Sequence, residues 1–346
     1  MRRNRIAGQS TRSHELKLAR DRRRRAILVA GAFGLALMAT AAAQSPSSYP
    51  ANKPIRILVG FAAGGPSDII ARIVGTRTGE ILGQQVVIEN KTGAGGLLAS
   101  EATARAEPDG YTLLNTATSV AVNETLSKTM RFEFGKDIVA VALQAETANI
   151  LVAHPSLGVK TMAEFVALAK SKPGEIFYAT AGRGTGTHLA AELFNMMAGT
   201  KLMPVHYRGG GATVKDLVSG EVKVMFSSIA PVQGLVNEGK LIGLATTAPI
   251  RDAAFPELPT VAESGFAGYD VRLWIGLTAP AGTPREIIKR IEAANNKALT
   301  MPDVQKALAA QGFAPFIGTS EQFDVFYRGE RDKYAKVIRA SGMDRE

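Results

Sequence analysis

The chain alternates short apolar runs with amphipathic segments from residue 55 onward, and the first unit of this alternation constrains the fold most. It reads Ile55-Arg-Ile-Leu-Val-Gly-Phe-Ala-Ala-Gly-Gly-Pro-Ser-Asp68, an apolar strand, a glycine turn and a helix start. Four apolar residues then follow at helical spacing: Ile69, Ile70, Ile73 and Val74. We expect Ser67 or Asp68 to be the N-cap, with free backbone N–H groups that favour an anion. A tight turn at Gly64 and Gly65 without further role is the alternative.

The rest of the chain continues this pattern and predicts an α/β protein. We expect strands at 55–59, 86–89, 111–115, 139–143, 150–153, 176–179, 203–206, 223–226, 243–246 and 271–277. We expect helices at 67–82, 95–106, 118–127, 161–171, 186–198, 212–219, 230–238, 284–299, 302–311 and 320–340. Strict alternation of strand and helix predicts parallel sheets with right-handed crossovers. A domain crossing near 145–149 and a return near 265–270 would give two lobes, with the glycine loops facing a cleft.

The N-terminal segment predicts export. Residues 1–25 are rich in arginine, residues 26–43 are apolar, and small residues precede Gln44. This pattern is typical of a signal peptide, residues 1–43, cleaved after Ala43, and it places the protein in the periplasm. The alternative is an uncleaved membrane anchor. The arginine run 22–25 also loosely resembles a twin-arginine signal, and the export route stays open.

Charge and composition exclude several classes of function. The chain has 41 basic and 31 acidic residues, and residues 1–43 hold ten of the basic and two of the acidic ones. The remaining chain therefore has 31 basic and 29 acidic residues and a net charge near +2. No basic stripe with aromatic residues follows, which argues against nucleic-acid binding. The absence of cysteine excludes disulfides, thiolate nucleophiles and zinc–cysteine sites. No serine elbow, Walker loop or dinucleotide motif is present, so we expect neither an enzyme nor a cofactor or metal site.

Three further loops place backbone amides and hydroxyls at predicted helix starts. They are residues 91–96, 180–188 and 207–211. Hydroxyls of Thr180, Thr185 and Thr187 can hydrogen-bond a carboxylate or a bridging water. Loops of this composition favour ligand recognition over catalysis.

Five segments together resemble the Bug family, the periplasmic solute receptors of tripartite tricarboxylate transporters. They are the stretch from Tyr49 to Asp68, Val87-Ile-Glu-Asn-Lys-x-Gly-Ala-Gly-Gly96, Ala106-x-Pro-Asp-Gly-Tyr-Thr-Leu-Leu114, Gly184-x-Gly-Thr-His-Leu-Ala-Ala-Glu192 and Val205-His-Tyr-Arg-Gly-Gly-Gly-Ala212. The resemblance implies a two-lobed Venus flytrap fold, with lobe one at 50–148 plus 269–346 and lobe two at 149–268. It implies a monomer that delivers a small organic anion, a mono- or dicarboxylate, to a permease of one large and one small membrane subunit. A sensor feeding a membrane histidine kinase is the alternative.

The resemblance also implies ligand contacts. The first loop would contribute Phe61, Ala62, Ala63, Gly64, Gly65 and Asp68. Thr116 would line the cleft from the same lobe, and the opposite lobe would contribute Thr180, Gly182, Arg183, Thr187, His188 and Tyr207. Ser227 stands where many relatives have an aspartate, which puts an amino-acid ligand in doubt, because an α-ammonium group is best matched by a carboxylate.

Each of these residues also has an ordinary structural interpretation. Asp68 can simply cap its helix, and His188 can hydrogen-bond a loop carbonyl. Tyr207 can pack within its lobe, and Arg183 can be a solvated surface residue. Trp274 is expected in the core or beside the hinge rather than as a platform for the ligand.

Overall fold

A computed structural model describes residues 49–51, 53–207 and 210–343, with side chains left undescribed at 210–212. The chain divides into two compact units, Met1–Tyr49 and Pro50–Glu346, and all elements given below belong to the second. The predicted signal peptide at 1–43 lies outside the described residues. None of the described helices is both long and apolar enough to cross a membrane.

The described residues form a mixed α/β fold. The strands are β1 Ile55–Val59, β2 Val86–Asn90, β3 Thr112–Ala117, β4 Ile138–Ala153, β5 Phe177–Thr180, β6 Met203–His206, β7 Val224–Ser228, β8 Ile242–Thr246, β9 Arg272–Pro280 and β10 Ala314–Pro315. Helix α1 spans 66–82 and has a π-helical segment, Ala71–Gly75, in its middle. The other α-helices are α2 Leu97–Ala104, α3 Thr118–Leu126, α4 Met162–Ser171, α5 Gly186–Ala198, α6 Gly210–Ser219, α7 Gln233–Asn237, α8 Arg285–Leu299, α9 Pro302–Ala310 and α10 Ser320–Ser341. Short 3₁₀ turns lie at Ala94–Gly96 and Pro155–Leu157, and neither the second of these nor β10 was predicted.

The strands form one continuous path in the order β2-β1-β3-β9-β4-β7-β5-β6, with β8 and β10 also paired to β4. Strands β1, β2 and β3 are parallel, as are β5, β6 and β7. Strands β9 and β4 run antiparallel to every neighbour. The prediction of wholly parallel sheets is therefore wrong. Alternation along a sequence indicates parallel pairing only when each helix returns the chain to the same edge. Here β4 runs from one half of the sheet into the other, and β9 pairs antiparallel with β3 and with the first part of β4.

Strand β4 is a single 16-residue strand where the sequence predicted two strands separated by a polar stretch. It pairs with β9 as far as Ala148 and with β7 from Asn149 onward. The polar residues do not interrupt the strand because their side chains have partners: Gln144 bonds Asn115 and Asn295, and Glu146 bonds Arg272. The partner of β4 thus changes at 148–149, and the lobe boundaries 50–148 plus 269–346 and 149–268 stay a prediction.

Two buried residues, Gly60 and Trp274, hold neighbouring elements together. Gly60 packs so closely on Gly96 that a Cβ atom at Gly60 would lie 2.5 Å from the Gly96 Cα. The end of β1 and the loop after β2 can therefore meet only because both residues are glycine. Trp274 on β9 is fully buried and donates from Nε1 to Glu330 Oε2 at 3.0 Å, which confirms its expected place in the core.

Candidate ligand-binding cleft

The first glycine loop ends in a helix start made by Pro66. The N-cap is Gly65, which has extended backbone angles. Because glycine has no side chain, this N-cap makes no side-chain capping bond. The prediction of Ser67 or Asp68 as N-cap is wrong because proline, with its fixed φ and missing N–H, is suited to the first helical position. Since helical backbone angles continue through 71–76, α1 presents the free N–H groups of a 17-residue helix to the loop.

Asp68 anchors this loop through its hydrogen bonds. Its side chain is 3% exposed and accepts hydrogen bonds from Arg72 Nε and Nη2, from the Gly64 N–H and from Asn90 Nδ2, each at 2.9 Å. The bond from Arg72, together with those from Gly64 and Asn90, lowers the pKa of Asp68 to about 2. Asn90 also donates to the Phe61 carbonyl at 3.0 Å. This clamp holds the loop open to solvent, with Ala63 and Gly64 exposed and Gly64 at a φ of +79°.

Hydroxyls hold the second glycine loop, between β5 and α5. Thr180 Oγ1 lies 3.2 Å from both Thr185 Oγ1 and Thr187 Oγ1, and the latter two are 3.0 Å apart. The Ala181 N–H donates to Thr187 Oγ1 at 3.1 Å, and the Gly182 N–H donates to Thr180 Oγ1 at 3.2 Å. Thr180, Thr187 and Gly182 therefore shape the loop through contacts within it. Thr185 is the N-cap of α5, which begins at Gly186.

His188 supports the same loop from behind. It is 3% exposed, and its Nδ1 accepts from the Gly184 N–H at 3.0 Å, instead of bonding a carbonyl as the sequence suggested. Burial lowers the pKa of His188 to about 4, and the neighbouring His206 and Arg183 act in the same direction. The imidazole is therefore neutral near pH 7, and its Nε2 contact with Glu192 Oε1 at 4.0 Å is not an ion pair.

Arg183 lies beside the end of α10. Its guanidinium donates to the carbonyl of Met343, just beyond α10. Together with His188 and His206 it lines an outer cavity of about 570 Å³ beside β6 and the end of α10. In this structure Arg183 is therefore not in the cavity that the first glycine loop lines.

A second cavity, of about 340 Å³, lies where the two glycine loops face each other. Three helices begin at its wall: α1 at Pro66, α3 at Thr118 and α5 at Gly186. The full lining comprises Phe61, Ala62, Gly65, Pro66, Ser67, Ala117, Thr118, Ser119, Val122, Gly184, Thr185, Gly186 and Leu273. No charged side chain of the described residues is among them. Free N–H groups at the helix starts thus provide the positive potential in this cavity.

Three of the predicted contact residues line this cavity, namely Phe61, Ala62 and Gly65. The sequence did not indicate the contribution of α3, which supplies Thr118, Ser119 and Val122. Glycine marks the other two helix starts at this cavity, and the turn from β3 into α3 contains none. The junction between β3 and α3 could have indicated this contribution. Because β3 is parallel to its neighbour β1, the two strands end at the same edge of the sheet.

The remaining predicted residues do not line this cavity. Thr116 on β3 is 1% exposed and directly precedes Ala117, which does line the cavity, and its hydroxyl has no partner among the described residues. Ser227 on β7 is likewise 1% exposed and without a hydroxyl partner there. The Tyr207 hydroxyl donates to Asp216 Oδ2 at 2.9 Å, as expected for packing within its lobe. Among the described residues no cluster of three His, Asp or Glu side chains is arranged to hold a metal ion.

Comparisons with known proteins identify the family. The family model for the tripartite tricarboxylate transporter family receptor matches residues 70–343. Protein BugT of Bordetella pertussis is 34% identical over 320 residues, which cover 92% of this chain and 98% of BugT. The solved structure of Rpa4515 from R. palustris with adipate is 29% identical, with a TM-score of 0.71, and covers 85% of this chain and 98% of its own. MatC from Rhodopseudomonas palustris with bound malate is 30% identical, with a TM-score of 0.67, and the match covers 82% of this chain and 98% of MatC.

These similarities confirm the resemblance to the Bug proteins and the two-lobed α/β fold that it implied. In this chain the three helix starts meet in a cavity between the two halves of the sheet. The chain belongs to the tripartite tricarboxylate transporter receptor family.

Proposed function

We propose that the protein binds a small organic anion, a mono- or dicarboxylate, in the 340 Å³ cavity. The observation that carries this proposal is the convergence of the starts of α1, α3 and α5 on one cavity wall. Each start leaves backbone N–H groups without helical partners, and these groups are aimed where an anion would sit. The N–H groups and hydroxyls there can hold a carboxylate without a charged side chain.

The absence of a charged lining residue suits a receptor that must release its ligand. A buried salt bridge to the carboxylate would make release costly, since an unpaired buried charge would be left behind. Helix starts contribute about 0.3–2 kcal/mol each. Three such contributions, with burial of the ligand body, are sufficient for reversible binding.

The wider role follows from the family. Adipate and malate in the two related structures are both dicarboxylates, which supports the ligand class. We propose that the mature protein, without residues 1–43, works in the periplasm as a monomer and without a cofactor. Closure of the lobes about β4 and β9 would present the liganded form to the membrane subunits of a tripartite tricarboxylate-type permease. Its role is therefore solute capture and not catalysis.

Isothermal titration calorimetry with succinate, malate, glutarate and adipate tests this proposal. We expect at least one of these acids to bind, and Ala62→Trp to abolish binding, because Ala62 lines the cavity. Ala267→Trp is the matched control, since Ala267 is exposed and lies outside the cavity. Loss of binding in both variants, or binding that survives Ala62→Trp, would contradict the location of the site.

A further inference from the structure

The wall of the 340 Å³ cavity is mainly apolar. Between the three helix starts the lining side chains are those of Phe61, Ala62, Ala117, Val122 and Leu273. Val122 lies on α3 opposite the second glycine loop, where a Cβ atom at Gly184 would be 3.8 Å from Val122 Cγ1. These apolar side chains all belong to the lobe that we predict at 50–148 plus 269–346, and the opposite side of the cavity is lined by Gly184, Thr185 and Gly186.

Threonine hydroxyls at the cavity are already engaged within the protein. Thr118 Oγ1 accepts from the Trp274 N–H at 3.0 Å and lies 3.4 Å from the Arg272 carbonyl. Thr185 Oγ1 donates to the Gly182 carbonyl at 2.7 Å and contacts two other threonines. The hydroxyl hydrogens of both threonines are therefore already used, and neither can donate to a hydroxyl on the body of a ligand.

The two lining serines lie at helix starts and not on the apolar wall. Ser67 and Ser119 each hold the second position of their helix, α1 and α3. The Ser119 hydroxyl is buried and has no hydrogen-bond partner among the described residues. Its place beside the free N–H groups of α3 suits a carboxylate oxygen. Polar capacity is therefore concentrated at the ends of the site.

From this distribution we infer that the ligand is a carboxylate whose body is an unsubstituted hydrocarbon, without hydroxyl or amino groups between its ends. The inference rests on the proposed function, because it concerns the same cavity. A hydroxyl on the ligand body would lose its bonds to water, and the side chains between the helix starts, those of Phe61, Ala62, Ala117, Val122 and Leu273, offer it only carbon. Burial of an unpaired hydroxyl weakens binding by roughly tenfold or more.

Competition between matched acids tests the inference in the full chain expressed from its gene. The pairs are succinate and malate, butyrate and 3-hydroxybutyrate, and adipate and 3-hydroxyadipate. In any pair that binds, we expect the hydrocarbon acid to have a Kd about tenfold or more below that of its hydroxylated partner. Equal Kd values, or tighter binding of the hydroxylated acid, would overturn the inference and leave the proposed function intact. If none of the six acids binds, the proposed function fails and the inference fails with it.

A substitution on the cavity wall provides an independent test. Val122→Thr replaces one wall methyl group by a hydroxyl of similar shape, and we expect it to reduce the preference for the hydrocarbon acid. Val120→Thr is the control on the same helix, since Val120 is also buried but does not line the cavity. An unchanged preference in Val122→Thr, in a variant as stable as Val120→Thr, would contradict the inference.

Discussion

Acid should destabilise this protein through His188, the buried histidine that supports the second glycine loop. Its Nδ1 accepts from the Gly184 N–H, so this nitrogen must stay unprotonated for the contact to exist. The groups around the ring are Tyr178, Glu192, His206 and Arg183, and the nearest carboxylate oxygen, Glu192 Oε1, lies 4.0 Å from Nε2 and accepts from the Tyr178 hydroxyl. Burial lowers the pKa of His188 from 6.5 to about 4.

The sign and size of the effect follow from linkage. Because the pKa in the folded protein is lower than that in the unfolded chain, the unfolded chain binds more protons between pH 6.5 and 4. The contribution is fully present above pH 6.5 and is lost as the pH falls toward 4. The difference between a pKa of 6.5 in the unfolded chain and about 4 in the folded protein corresponds to about 3 kcal/mol of unfolding free energy across this pH range.

Urea denaturation at pH 7.5, 6.5, 5.5 and 4.5 measures this loss. His188→Asn is the informative variant, because the asparagine Oδ1 can take the place of Nδ1 as acceptor but does not titrate in this range. We expect the variant to be less stable at pH 7.5, since it fills less volume, and to lose about 3 kcal/mol less than the wild type on acidification. Parallel pH profiles of the two proteins would refute the argument.

Three further substitutions test contacts around the cavity and the strands that join the lobes. Asp68→Asn should destabilise the protein and weaken carboxylate binding, because it breaks the pairing with Arg72, and calorimetry with urea denaturation measures both effects. Gly276→Ala should lower the free energy of unfolding by more than about 1 kcal/mol, since its Cβ would lie 2.8 Å from a backbone oxygen. Gly329→Ala, in an open helical position, should instead raise the free energy of unfolding by about 0.4–1 kcal/mol. Equal melting temperatures of the two variants would contradict this expectation. Arg272→Met should leave both carboxylates of Glu146 and Asp270 unpaired and lower the melting temperature, an effect that should shrink at acidic pH.

Much of the fold could be predicted from the sequence because local patterns determine its elements. The bounds of β1, β6 and α5 agree with the prediction residue for residue. Strand direction was not predictable in the same way, since it depends on β4 and β9 pairing across more than 100 residues of chain. The polar residues of β4 suggested a break because their partners, Asn115, Arg272 and Asn295, are distant in sequence.

The site shows the same division between local and distant information. Glycine and threonine patterns located the two loops, but not which residues face the cavity and which hold the loop in shape. Asp68 and His188 belong to the second group, because each bonds a backbone N–H of its own loop. The contribution of α3 could not be found by looking for glycine, since its helix start depends on the neighbouring position of β1 and β3.

The position of a bound acid would decide whether the 340 Å³ cavity is the binding site. We would determine the crystal structure of the protein with the acid that binds most tightly in calorimetry. We predict a carboxylate group within hydrogen-bond distance of backbone N–H groups at the starts of α1, α3 or α5, inside the 340 Å³ cavity. An acid bound instead in the outer cavity beside Arg183 and His206 would contradict it.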